Sequence, residues 1–143
     1  RAERGAGVNI TNTNIAPVVS LRLNPVSSSI TIQITGISMM TETGVEIKWL
    51  LLLNPSMAGS DGAVWTNASG SSMQFDLDRD DTNTLSNGSI LKGGYFYRYT
   101  EREYGDSMGR LILSSSDEII LAASPFGSGG KNMFGSISWR EYT

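Results

Sequence analysis

Short runs in which apolar and polar residues alternate, each closed by a cluster of Gly, Asn, Asp or Ser, confine this chain to β architecture. Ile30-Thr31-Ile32-Gln33-Ile34-Thr35 sets its isoleucines on one face of an extended strand, and Val18-Val19-Ser20-Leu21-Arg22-Leu23 alternates until Asn24-Pro25 stops it. Met73 to Asp78 repeats the pattern with its carboxylates outward, and the chain closes on a similar run, Ser136 to Glu141. No long stretch keeps a helical period. The spacing predicts a single antiparallel β-sandwich of roughly nine strands, of jelly-roll type. With 143 residues, one core is enough.

The first 16 residues are polar, rich in Gly, Asn and Thr, and without period, so they read as an N-terminal arm or linker, with the sandwich over 17–143. Because the chain starts at Arg1 and not at Met, it reads as a processed or truncated piece. The run Val45 to Leu53 is different in kind. Val45, Ile47, Trp49, Leu51 and Leu53 share one face, while the other face changes from Glu46 and Lys48 to Leu50 and Leu52. A strand that begins half-solvated and ends apolar on both faces needs cover on its outer side, from a loop or from a neighbouring subunit. Further on, Gly93-Gly94 predicts a bulge or bend in one long strand that resumes as Tyr95-Phe96-Tyr97-Arg98-Tyr99.

Composition excludes several chemistries. The chain has neither Cys nor His, which removes disulfides, thiol catalysis and the commonest metal ligands. A net charge of −3 with scattered Lys and Arg argues against nucleic acid as a partner. The longest apolar run, Trp49 to Leu53, falls far short of the ~20 residues of a membrane helix. Asp76, Asp78 and Asp80 match the opening of a calcium loop, but Asp81 stands where Gly is needed and Asn87 where the bidentate Glu belongs. An outward strand face followed by an Asp-rich turn is the simpler reading, with calcium as the alternative. Ser89-Ile90-Leu91-Lys92 has no helix to align its Ser and Lys, and Gly127-Ser128-Gly129-Gly130-Lys131 lacks the remainder of a phosphate loop. Glu101, Glu103, Asp106, Asp117 and Glu118 could supply a glycosidase pair, yet they read as solvated charge near strand ends. No catalytic residue and no cofactor is predicted.

Surface chemistry then carries the functional reading. Trp49, Leu50, Leu52, Tyr95 and Tyr97 are candidates for an oligomer interface, where aromatic residues are enriched. Trp65, Tyr97, Tyr99 and Tyr104 are the alternative, an aromatic platform for sugar rings. Pro17 to Leu23, Ile47 to Pro55 with Trp65-Thr66-Asn67 after it, and the terminal Ser136 to Glu141 together resemble β-sandwich structural proteins of tailed bacteriophage virions. The resemblance implies a non-enzymatic capsid-decoration, head-fibre or tail component on the virion surface. It further implies a homotrimer attached to neighbouring capsid or tail proteins through its N-terminal arm, where it stabilises the particle or presents an adhesive surface. The alternative is a carbohydrate- or receptor-binding module directed at host surface glycans.

Overall fold

A computed structural model describes residues 1–11, 14–42, 44–59, 62–105, 107–126 and 130–142, among which there is no helix. The strands in chain order are β1 (Ala2–Ile10), β2 (Ala16–Leu23), β3 (Ser29–Thr41), β4 (Glu46–Leu53), β5 (Ser56–Ala58), β6 (Trp65–Asn67) and β7 (Met73–Asp76). They continue as β8 (Thr84–Ser86), β9 (Ser89–Tyr97), β10 (Tyr99–Glu103), β11 (Leu111–Ser114), β12 (Glu118–Pro125) and β13 (Lys131–Tyr142). Two antiparallel sheets pack as a β-sandwich. The first has the order β1-β13-β3-β10, and β11 also pairs with β3. The second has the order β6-β7-β2-β12-β4-β9. Strand β10 pairs with Gly36–Met40 of β3 and β11 with Ser29–Ile32, so the two form one edge column whose pairing stops at Glu103 and resumes at Leu111.

The alternation seen in the sequence sorts residues between two apolar clusters. Ile119, Leu121 and Ala123 of β12 face the main core with Ile47, Trp49 and Leu51 of β4. Ile120 and Ala122 face the other way and join Leu52 and Leu85 in a second cluster, against which Ile15, Leu50 and Met57 pack. The small β5–β8 pair, with Met57 opposite Leu85, supplies this cover. The chain between β4 and β9 therefore crosses the outer face of the second sheet and adds β6 and β7 to its far edge. The cover required over Leu50 and Leu52 comes from the chain itself, and burying each large apolar side chain there stabilises the fold by about 1.5–3 kcal/mol.

Residues 2–10, read as an arm, are instead an edge strand paired along β13. Ala2, Val8 and Ile10 are buried, but a register shift between Arg4 and Val8 breaks the period. Arg4 occupies a buried position as well, and its guanidinium donates to the carbonyls of Gly7, Val18 and Arg79. A charged residue in a core position and a Gly-rich bulge together hid the strand. The tyrosine run also differs from expectation. Gly93 and Gly94 pair regularly with Leu50 and Trp49 within β9, and the bulge lies instead at Leu91, opposite the step from Leu51 to Leu52, while the chain leaves this sheet for the first one at Arg98, with φ of 71°. Gly94 is needed for close approach: a Cβ there would sit 3.1 Å from Nε1 of Trp49.

Candidate interaction surfaces

The predicted interface residues separate into two groups. Trp49 is 2% exposed in the main core and Leu52 is 3% exposed in the second cluster, with Leu50 half-buried beside it. Neither Trp49 nor Leu52 is available to a partner, because both are buried within the chain's own packing. Tyr95 and Tyr97 are different, at 58% and 62% exposed. They project from the outer face of β9, opposite Lys48 and Glu46 of β4, while Phe96 between them points into the core.

Two residues that the sequence reading missed extend this strip. Ile90, opposite Leu52, is exposed on the same face. Phe126 donates its backbone N–H to the Glu46 carbonyl at 3.0 Å, and its half-exposed ring stacks on Tyr95 with centroids 5.8 Å apart. The Arg98 guanidinium lies 5.7 Å from the centre of the Tyr97 ring. Ile90 could have been placed only with knowledge of the register shift, and Phe126 only with knowledge that β12 runs beside β4.

The predicted sugar platform is not assembled. Trp65 lies on β6, at the opposite edge of the six-stranded sheet from Tyr97, and the Arg22 and Arg79 guanidinium groups lie 4.2 and 5.3 Å from its ring centre. Tyr99 and Tyr104 go with the first sheet. Tyr99 is exposed and donates its hydroxyl to Glu101, a bond that raises its pKa. Tyr104 is half-buried beneath Lys92, and burial pushes its phenol up.

The outer face of the first sheet carries a trough of about 370 Å³, lined by Ser38, Ser136 and Ser138, with Arg1 on one bank and Glu101 and Glu103 on the other. Ser38 and Ser136 share a hydrogen bond of 2.7 Å, and Arg1 donates to Ser136. Phe134, Met40 and Tyr99 form the next outward row. Glu101 and Glu103 stand on one edge strand at alternate positions, both exposed. The other carboxylates considered for catalysis have structural partners. Asp117 accepts from the Ser114 backbone and from Asn54, which together hold its pKa below the ordinary range, and Glu118 pairs with Arg79. Asp106 and Gly127-Ser128-Gly129 lie outside the described residues.

Two of the three aspartates of the calcium reading, Asp76 and Asp80, are likewise committed locally, while Asp78 is exposed. Asp76 is buried, and it accepts from Arg79 at 2.8 Å and from the backbone N–H groups of Val64 and Asp78. Asp80 accepts from the backbone and hydroxyl of Thr82. Among the described residues, no three carboxylates gather to hold a metal. Arg79 is the centre of this region: Asp76, Glu118 and the Met57 sulfur all lie on its guanidinium. It ties β7, β12 and the covering β5 together.

Searches against family models, curated proteins and solved structures find no match to this chain. Among the described residues no helix is long and apolar enough to cross a membrane.

Proposed function

We propose that this chain is a non-enzymatic structural component of a tailed-bacteriophage virion, at the particle surface, which works by self-association through the outer face of β9. The observation that carries this reading is the exposed strip Ile90, Tyr95, Tyr97 and Phe126, whose aromatic content is that of an interface core. The strand order supports the finer reading of the fold as a jelly roll. Apart from β4 and β9, which pair in one sheet, successive members of these eight strands alternate between sheets to give β1-β13-β3-β10 in one and β2-β12-β4-β9 in the other, as two interlocked Greek keys do, and β6 and β7 extend the second. That architecture is used by viral capsid proteins and by lectins. With residues 2–10 held in the first sheet, contact with neighbouring capsid or tail proteins falls to the folded surface in place of a free arm. Light scattering on a sizing column tests the proposal. A mass that is a multiple of the 15.4 kDa chain supports it, and a monomer at every concentration overturns it.

A carbohydrate-binding reading has one observation in its favour, the hydroxyl-lined trough bordered by Glu101, which accepts a hydrogen bond from Tyr99 of the next outward row. Glycan-array binding lost in Tyr99→Ala but kept in Trp65→Ala would support this site over the predicted platform. Equal binding by both variants would remove it.

A further inference from the structure

Strands β9 and β10 are consecutive but belong to different sheets, and the chain crosses between them at Arg98. The two edges diverge from Arg98 like the sides of a V, and the inward positions of both strands face into it. On β9 these are Phe96, Gly94 and Lys92, opposite the core residues Ile47, Trp49 and Leu51 of β4. On β10 they are Thr100 and Arg102, opposite the core residues Met39 and Ile37 of β3, and Tyr104 follows. Phe96 and Thr100 are buried and close the apex. Further out, Lys92 and Arg102 bring two cations to one opening. Neither forms an ion pair among the described residues, and Glu101 and Glu103 turn to the other face of β10. Tyr104 joins the two sides. Its backbone N–H donates to the Thr35 carbonyl at 2.8 Å, its ring packs against the main core, and the Lys92 ammonium lies 5.7 Å from the ring centre. Burial raises the Tyr104 pKa, and the nearby Arg102 charge acts against that rise.

The inner end of the opening is Trp49. It is 2% exposed, and its Nε1–H has no hydrogen-bond partner, although a buried indole N–H ordinarily has one. That nitrogen is the atom nearest the inner side of Gly94, 3.1 Å from where a Cβ would stand, so residue 94 places no side chain over it. A buried donor without an acceptor is costly, and this one lies beside two cations without carboxylate partners. We infer that the opening binds a tetrahedral oxyanion, phosphate or the phosphate of a monoester, held by the Lys92 ammonium, the Arg102 guanidinium and the Tyr104 hydroxyl, with the Trp49 N–H as the innermost donor. All four groups donate, and they approach from both sheet edges and from the core, which suits an anion whose oxygens point in several directions. The guanidinium fork matches phosphate geometry. Lys92 and Arg102 are exposed, so a substituent on an outer oxygen has room to extend into solvent. The site uses the inner side of β9 and is independent of the outward strip of Ile90, Tyr95 and Tyr97.

The chain has 3 Trp residues, so the indole N–H signal of Trp49 can be read by nuclear magnetic resonance. The double variant Trp65→Phe/Trp139→Phe identifies it by leaving it alone, without altering the core residue. Sodium phosphate and glycerol phosphate are titrated separately into the unsubstituted chain, each against sodium chloride of equal ionic strength. A saturable shift of the Trp49 signal is expected. Saturation by inorganic phosphate alone supports the free ion as ligand, and saturation by the ester, with or without the ion, supports a phosphate carried on a larger molecule. Lys92→Gln and Arg102→Gln lie at exposed positions and are each expected to weaken binding at least about tenfold, through loss of a charge-assisted contact. A Trp49 signal that neither anion moves, or that chloride moves equally, overturns the inference. So does a response that both variants retain at full strength.

Discussion

The two halves of the second sheet's outer face have the same kind of sequence and opposite fates. Over β12 and the end of β4, outward Leu52, Ile120 and Ala122 lie under β5 and β8 and are as buried as the main core. Beyond them, on β9, outward Ile90, Tyr95 and Tyr97 have no such cover. An outward apolar residue in a strand therefore marks a demand for cover without saying who meets it. Where the intervening chain crosses, the demand is met internally and the residue serves stability. Where it does not cross, the residue is left for a partner.

If this contrast is right, substitutions on the two halves separate stability from association. The largest effects belong to the covered side. Arg79→Ala leaves Asp76 buried without its ion partner, held only by two backbone N–H groups, and is expected to cost about 3 kcal/mol in chemical denaturation. Leu52→Asp places a carboxylate in the second cluster and should prevent folding or destabilise by at least about 3 kcal/mol. An unchanged melting temperature for Leu52→Asp would show that β5 and β8 do not cover this cluster in solution. Leu85→Ala, which trims the cover itself, should cost about 2–3 kcal/mol while leaving self-association intact.

On the bare side the outcome reverses. Tyr95→Ser and Tyr97→Ser should change monomer stability by no more than about 0.5 kcal/mol and abolish the oligomer on a sizing column. Loss of stability without loss of oligomer would place these rings in the fold and not in a contact.

The smallest expected effect is a pH dependence. Burial pulls the Glu141 carboxyl upward, but hydrogen bonds from Ser71, Ser72 and Trp139 outweigh it and leave its pKa low, as hydrogen bonds from Ser114 and Asn54 do for Asp117. A carboxyl whose folded pKa lies below its unfolded value binds fewer protons when folded, so its stabilising contribution is complete above the ordinary carboxylate range. It is lost as pH falls through the folded values. Melting curves should therefore decline below about pH 4, and the decline should be shallower in Asp117→Asn. An identical decline in that variant would exclude Asp117 as a contributor. Both groups are largely solvated, so the effect is modest.

Much of the fold could be read locally. The runs at Val18–Leu23, Ile30–Thr35 and Val45–Leu53 all fall in strands, and β4 keeps most of its alternation, whereas β2 is buried on both faces. What escaped were elements whose period is interrupted or whose length is minimal. Strand β1 was hidden by Arg4 and its bulge, and β5 and β8 are too short to show alternation. The candidate surface was half legible. Tyr95 and Tyr97 could be named from the sequence as surface-capable aromatics, but Trp49 and Leu52 looked equally suitable, and Ile90 and Phe126 did not stand out.

By itself, then, the sequence determined the β architecture, the two faces of strands without a bulge such as β4, and the absence of thiol and imidazole chemistry. These follow from residue identity and the two-residue period, which are local. Only the tertiary structure decided which outward faces are covered and which aromatic residues meet. Those outcomes depend on where distant segments cross. Residues 54–88 leave β4 and return beside it as β9, and what they pass over on the way is set by long-range pairing that no local pattern encodes.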